Sequence, residues 1–446
     1  MNKKIKYLVI IIINVISITG CISENEIESS MRPPKLSVRE AKIENIIDDT
    51  LSSKAKLVTV DMGKDSGSIK AIDLDNDKNE EIIVFYTLES DENPLRLLVL
   101  TNNSGSWTIN NNIRGVGNDF DRVLFRDITG DKNLEIIIGW NTGEYINKGL
   151  NVYQYIDGDV KDIFKDVYEE MACEDIDGDN ISELMLIKLD KVNLKSWAEL
   201  YTYKDNRLVV ESKEEMDGTV NGHYGLKVGK ASENKMGVFI DSGIGAHSSE
   251  TELLVYEKGK LNNVFFDKKR GIVEKTFRAY GTESQDIDND KIIEIALLRV
   301  PKGYENKAMA YIPWITTWHS WDGLDGLNFE SEGYHNISEK YYFKFPNKWD
   351  KNITVSPQDK GKSGNKDTLT FTYVNKEESY PLLTIVSYEV DFWNRLRVDE
   401  KEKYMEITRK LNKIYLVSLI DYDYTDEIND MKLTLDEIKD SFRLME

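Results

Sequence analysis

Four stretches of this 446-residue chain carry oxygen-bearing side chains at the same alternating positions. The first is Asp73, Asp75, Asp77, Asn79 and Glu81, and the second is Asp127, Thr129, Asp131, Asn133 and Glu135. The third is Asp175, Asp177, Asp179, Ile181 and Glu183, and the fourth is Asp286, Asp288, Asp290, Ile292 and Glu294. Positions 1, 3, 5 and 9 supply side-chain oxygens. Position 7 supplies a backbone carbonyl, which is how Ile181 and Ile292 enter the ligand set. Calcium takes six to eight oxygens at about 2.3–2.6 Å, and alternate residues of a tight loop can aim them at one point. A solvated turn needs only two or three such residues. An EF-hand shares the opening but requires a bidentate Glu at position 12 between helices. Position 12 is Val84, Ile138, Leu186 and Leu297, all apolar. The chemistry is therefore that of a strand–loop–strand calcium site.

The elements that must hold these loops follow from their surroundings. Each phrase runs directly into an apolar stretch such as Ile82–Phe85 or Leu184–Ile187, the mark of a buried strand. The first Asp falls at 73, 127, 175 and 286, so the last interval is twice the others and a unit without a loop should lie between. Residues 220–270 fit it, with strand-like Gly237–Asp241, Thr251–Tyr256 and Leu261–Phe266. Late hairpins recur as Leu150–Tyr155 with Val160–Phe164, and as Glu199–Tyr203 with Leu208–Glu211. A period near 50 with four strands per unit is the signature of a β-propeller blade. The expected fold is mainly β: about five blades over residues 57–335, four with metal and one without, followed by a small α+β domain. Lys56–Asp61 is a candidate strand for closing the ring on the last blade. An open β-solenoid or two small sheets is the alternative architecture.

The nine-residue phrase resembles the calcium loop of FG-GAP/VCBS-type repeats, the family that includes the blades of integrin α-chain propellers. That family more usually has Asp at position 9, so Glu81, Glu135, Glu183 and Glu294 depart from it by one methylene. The resemblance implies up to four structural Ca²⁺ ions. Three or four carboxylates per loop repel one another unless a cation closes them, so binding energy should appear as folding stability. Loop two should bind most weakly, because Thr129 replaces a carboxylate.

The net charge is −21 and the isoelectric point about 4.8. Fifteen carboxylates stand at ligand positions, so much of the acidity is accounted for by metal binding. Nucleic acid is excluded as a partner, since phosphate neutralisation needs clustered Lys and Arg. The two cysteines, Cys21 and Cys173, are no disulfide framework. Cys173 reads as a small buried core residue.

Residues 1–20 form a signal peptide: Lys3, Lys4 and Lys6, then an apolar run from Tyr7 to Ile18 that is short for a spanning helix. Ile18-Thr19-Gly20-Cys21 resembles a bacterial lipobox, in which the cysteine is lipidated and becomes the mature first residue. Two or more acyl chains, palmitate among them, anchor stably where one is marginal. The expected location is the outer face of the cell membrane, tethered through Cys21. Residues 21–56 are then a polar tether and a short helix over 36–51 capped by Ser37.

In the fifth unit Trp314, Trp318 and Trp321 fall within eight residues. They could form a stacking platform for a sugar or peptide, or fill the space between blades. His223, His247 and His335 are scattered. No Gly-x-Ser-x-Gly, His-Glu-x-x-His or phosphate-cradling glycine loop is present. Residues 338–446 read as an α+β domain, with strands at Leu369–Val374, Leu382–Tyr388 and Ile414–Ile420 and helices at 398–412 and 434–443. Its punctuation, Tyr341-x-Phe343-x-Phe345-Pro346-x-x-Trp349 and then Ile438-x-x-Ser441-Phe442, loosely resembles that of the PsbP-like domains of bacterial lipoproteins, which implies a binding or stabilising module. The expected function is a membrane-anchored, calcium-stabilised propeller that binds a protein or glycan and has no catalytic residues. The alternative is a polysaccharide-acting enzyme built on the same fold.

Overall fold

The computed structural model describes residues 38–445, apart from 64, 90, 104–105, 144–146, 350, 359–365, 377 and 421–424. The signal segment, Cys21, the tether and Ser37 lie outside the described residues.

The chain is mainly β, built from consecutive antiparallel meanders. Blade one has strands Ile69–Ile72, Glu81–Leu88, Leu95–Asn103 and Ser106–Arg114. Blade two has Asp119–Arg126, Glu135–Asn141, Lys148–Ile156 and Asp159–Tyr168. Blade three has Glu170–Glu174, Glu183–Asp190, Lys195–Lys204 and Arg207–Met216. Blade four has Gly222–Ser232, Lys235–Ile244, Ser248–Glu257 and Lys260–Asn263. These are strands A to D of each blade. The fifth sheet has Ile295–Arg299, Ile315–Trp321, Leu327–Asn336 and Tyr341–Lys344, and takes Phe442–Leu444 as its last strand.

Burial explains the hydrophobic patterns. Strand B of blade one is buried continuously from Glu81 to Tyr86, because both faces of its sheet are covered. Ile83, Phe85, Leu97 and Val99 pack on Phe120, Ile136, Ile138 and Trp140 of blade two. Ile82, Val84, Tyr86, Leu98 and Leu100 pack instead on Ile43 and Ile47 of helix α1, Val38–Thr50. A strand buried on both sides loses period-two alternation and reads as one apolar run. Strand D of blade two, on the outside, keeps its mixed exposure.

Similar cores join blade two to three, three to four, and four to five. Cys173 is buried in the first of these joints, and burial pushes its thiol well up. Ala55–Leu57 pairs with Tyr86–Leu88 inside blade one, and Val60–Asp61 pairs with Ser66–Gly67. Lys56 and Leu57 thus extend the first sheet and Val60–Asp61 forms a small hairpin sheet beside it, so the segment expected to close the ring pairs near blade one and not with the last sheet.

The α+β unit has a sheet ordered 353–358, 366–375, 378–389, 413–419, 405–410. Its Phe371, Ile385 and Val417 share one core with Ile315, Tyr341 and Phe343 of the fifth sheet. The helix expected over 398–412 is a single turn, Val398–Lys401, followed by strand Met405–Lys410. Leu411 with φ of 54° opens a two-residue turn, and the strand then fills the edge offered by Lys413–Leu419. Tertiary pairing outweighs helical periodicity there.

Candidate metal loops and a candidate ligand cleft

In each acidic phrase the Glu at position 9 stands where strand B begins, buried under the loop. It accepts a hydrogen bond from the position-2 amide: Leu74 to Glu81 at 3.1 Å, Ile128 to Glu135 at 3.0 Å, Ile176 to Glu183 at 2.9 Å, Ile287 to Glu294 at 2.9 Å. The position-1 Asp accepts from the position-6 amide at 2.9 to 3.0 Å in all four. The position-5 Asp accepts from the position-7 amide at 2.7 to 2.8 Å. Positions 4 and 6 are left-handed throughout: Asn76, Gly130, Gly178 and Asn289, then Lys78, Lys132, Asn180 and Lys291. Two αL residues in five bend the chain tightly enough for alternate side chains to converge. Asn and Gly tolerate this conformation, whereas lysine there is strained.

The donor set suits a hard cation. One oxygen each from Asp73, Asp75 and Glu81 lies within 4.8 Å of the others, as do oxygens of Asp175, Asp177 and Glu183, and of Asp286, Asp288 and Asp290. Asp75 Oδ1 is buried without a hydrogen-bond partner, as an oxygen reserved for an ion would be. Loop two does not gather three carboxylates in this way among the described residues; its Thr129 hydroxyl turns to Glu135 at 3.3 Å. Burial, supported by the loop aspartates and opposed by the position-2 amide, pushes Glu81, Glu135, Glu183 and Glu294 up to about 7. Burial and then Asp77 raise Asp75 as well.

Consecutive loops are hydrogen-bonded. Leu134 N–H donates to the Leu74 carbonyl at 2.7 Å, and Ser182 N–H to the Asp127 carbonyl at 2.8 Å. In blade four, where a tight turn replaces the loop, Lys230 supplies the carbonyl that accepts from Ile293 at 2.9 Å. Nothing in the linear sequence marks these contacts.

The three tryptophans divide. Trp318 is fully buried, with Nε1 donating to the Tyr342 hydroxyl at 3.1 Å. Trp321 is 5 % exposed and packs between blades four and five. Neither offers a ring to a ligand, because strand Ile315–Trp321 turns both into cores. Trp314, just before that strand, is half-buried and lines a cavity of about 760 Å³. The cavity lies where blade four, segment 280–285, segment 309–316 and strand Leu327–Asn336 of the fifth sheet meet.

Tyr224, Tyr280 and Tyr334 share the wall with Trp314, and none stands out in the sequence. Tyr280 and Trp314 meet edge to face at 6.3 Å, and His247 lies 6.0 Å beyond Tyr280. Trp314 is oriented by Nε1 donating to the Met309 carbonyl at 3.3 Å. Gly281 lets the Tyr224 ring approach within 3.4 Å of where a Cβ would stand. Beneath the cleft Arg278, fully buried, donates to Asp241 at 2.9 Å, the Thr282 carbonyl at 2.7 Å and the Tyr224 hydroxyl at 3.1 Å. His335, in the wall, has its imidazolium disfavoured by burial, down to about 4.

Fold and loops together define a class: a β protein of propeller-type blades with acidic loops at the A-to-B turns. No family model matches the chain, and no curated protein does. Among solved structures it is similar to a rhamnogalacturonan lyase from Bacillus licheniformis, at 10% identity, 61% of this chain, 68% of that one and a TM-score of 0.31. A protein from Lactobacillus plantarum aligns at 11% identity, 70% and 82%, with a TM-score of 0.29. TolB from Acinetobacter baumannii aligns at 10%, 66% and 60%, with a TM-score of 0.26. Likeness at that level carries no argument about this chain's activity.

Proposed function

We propose that this chain is an extracytoplasmic binding protein of the FG-GAP/VCBS type, anchored through a lipid on Cys21 and stiffened by calcium in its four acidic loops. The observation that carries the reading is the recurrence of one hydrogen-bonded frame in all four loops, with Asp75 Oδ1 left for an ion. In each loop the carboxylates at positions 1, 3, 5 and 9 would hold the ion, with Thr129 standing in at loop two. The ion's part is charge compensation that locks strand A to strand B, which is structural. Ligand recognition falls to the Trp314 cleft. Binding is favoured over hydrolysis there because, among the described residues, Glu283 is the one carboxylate in the lining and is engaged by Lys227 at 3.2 Å. A glycosidase needs two carboxyls about 5–10 Å apart.

The test is thermal unfolding of the full chain in detergent, with calcium and with EDTA. Calcium is expected to raise Tm as a ligand of the native state does. An unchanged Tm defeats the calcium part of the reading. Replacing Cys21 with Ser should move the protein from the membrane to the soluble fraction, and retention in the membrane defeats the anchor.

A further inference from the structure

We infer that the Trp314 cleft takes an uncharged oligosaccharide, an assignment that rests on the binding reading above and names its ligand class. A cavity of about 760 Å³ lies within the roughly 300–1,000 Å³ range of small-ligand sites. A protein partner of ordinary affinity instead covers about 800 Å² on each side, most of it outside a concavity of this kind.

The chemistry of the wall selects further. Tyr280 and Trp314 meet edge to face in the lining, which Tyr224 also shares, and His247 contacts Tyr280 from outside it. Ring faces carry negative quadrupole potential and attract the weakly positive C–H faces of pyranose rings. The same lining carries groups that can exchange hydrogen bonds with hydroxyls: Thr282, Glu283, Gln285 and Lys227. Lys227 Nζ already donates to the Ser284 carbonyl at 2.7 Å and to Glu283. The site therefore holds one cation and one anion side by side and offers no surplus positive charge to an acidic sugar. A chain of net charge −21 also repels polyanions at long range. Charge thus separates neutral glycans from polyuronates.

The wall is prepared in advance. Trp314 is held by its bond to Met309, and Tyr224 by Arg278, so little side-chain freedom is lost on binding. Ile337, at 78 % exposure, lines the mouth of the cleft and adds to its apolar rim.

The experiment uses the calcium-loaded full chain in detergent micelles. It is titrated with cellohexaose, maltohexaose, mannohexaose and xylohexaose, with hexagalacturonate and a random peptide pool alongside. Tryptophan emission and saturation-transfer NMR are the readouts. At least one neutral hexasaccharide is expected to perturb emission, and Trp314→Ala and Tyr280→Ala to weaken it about tenfold or more. Trp314→Phe should keep part of the affinity, and Trp197→Phe, outside the cleft, all of it. The inference is overturned if no neutral hexasaccharide binds, if hexagalacturonate or the peptides bind better, or if Trp314→Ala binds as the parent does while its Tm is unchanged. The calcium-dependent rise in Tm and the membrane location do not involve Trp314. A negative sugar result with those intact removes the ligand class and leaves the parent reading standing.

Discussion

The amide of Leu134 in the second acidic loop donates to the carbonyl of Leu74 in the first, 2.7 Å away. Ser182 repeats the contact to Asp127, one blade further on. Loops one to three are thus joined through their backbones, so ordering one by an ion would restrain the next.

Calcium binding should accordingly be cooperative along loops one to three. Asp175→Asn in loop three is expected to weaken binding in loop two as well as its own, by roughly fivefold through the shared bond. Isothermal titration of the single-loop variants checks this; strictly independent sites would refute the coupling.

Arg278 and Asp241 form a fully buried pair under the cleft, with Thr251 and Ser284 completing the network. Arg278→Met leaves Asp241 uncompensated and should destabilise by about 3–5 kcal/mol. Adding Asp241→Asn should restore part of the loss. Urea unfolding of the two variants measures both, and equal stability of single and double mutants would contradict the pairing.

Glu250 faces Ser242 across strands B and C of blade four, fully buried, with neither carboxyl oxygen hydrogen-bonded. Burial, then Glu252 and Asp217, pushes it up to about 9, while Arg278 pulls the other way. Glu252 is also raised, to about 7, by burial first. A carboxyl whose pKa is higher folded than unfolded binds more protons in the native state. Its stabilisation is therefore present at low pH and is lost as pH climbs from the ordinary 4.5 through 9. With calcium saturating, stability should fall across pH 5–9, by at most about 1.4 kcal/mol per pH unit for each group titrating. Glu250→Gln should flatten that slope and raise stability most at the alkaline end. A slope unaltered in Glu250→Gln would exclude the assignment.

Trp318 and Trp314 should separate structure from recognition. Trp318→Ala removes a fully buried ring and its bond to Tyr342, for a cost of about 3–5 kcal/mol. Trp314→Ala, at the half-buried cleft wall, should cost less stability. Thermal melts of the two variants decide it, and the reverse order would place the wrong ring in the core.

Most of the blade pattern was legible because its signals are local. Asp-x-Asp-x-Asp spacing marks the turn, and a run such as Ile82–Phe85 marks the doubly covered strand behind it. The unit without a loop was visible from the doubled interval between Asp175 and Asp286. The cleft was not legible, because Tyr224, Tyr280 and Trp314 come from separate segments and only the packing of blade four on the fifth sheet brings them together. Local density misled at Trp318 and Trp321, since alternation along a strand sends close neighbours in sequence to different faces. It misled again over 398–412, where helical spacing gave way to an unfilled strand edge at Lys413–Leu419.

The strand Phe442–Leu444 completes the fifth sheet from the far side of the whole α+β unit. Until that unit has been synthesised and folded, Tyr341–Lys344 is left as a bare β-edge able to recruit a neighbouring molecule. Folding of this protein thus includes an interval in which that edge of the fifth sheet is open to mispairing with another chain.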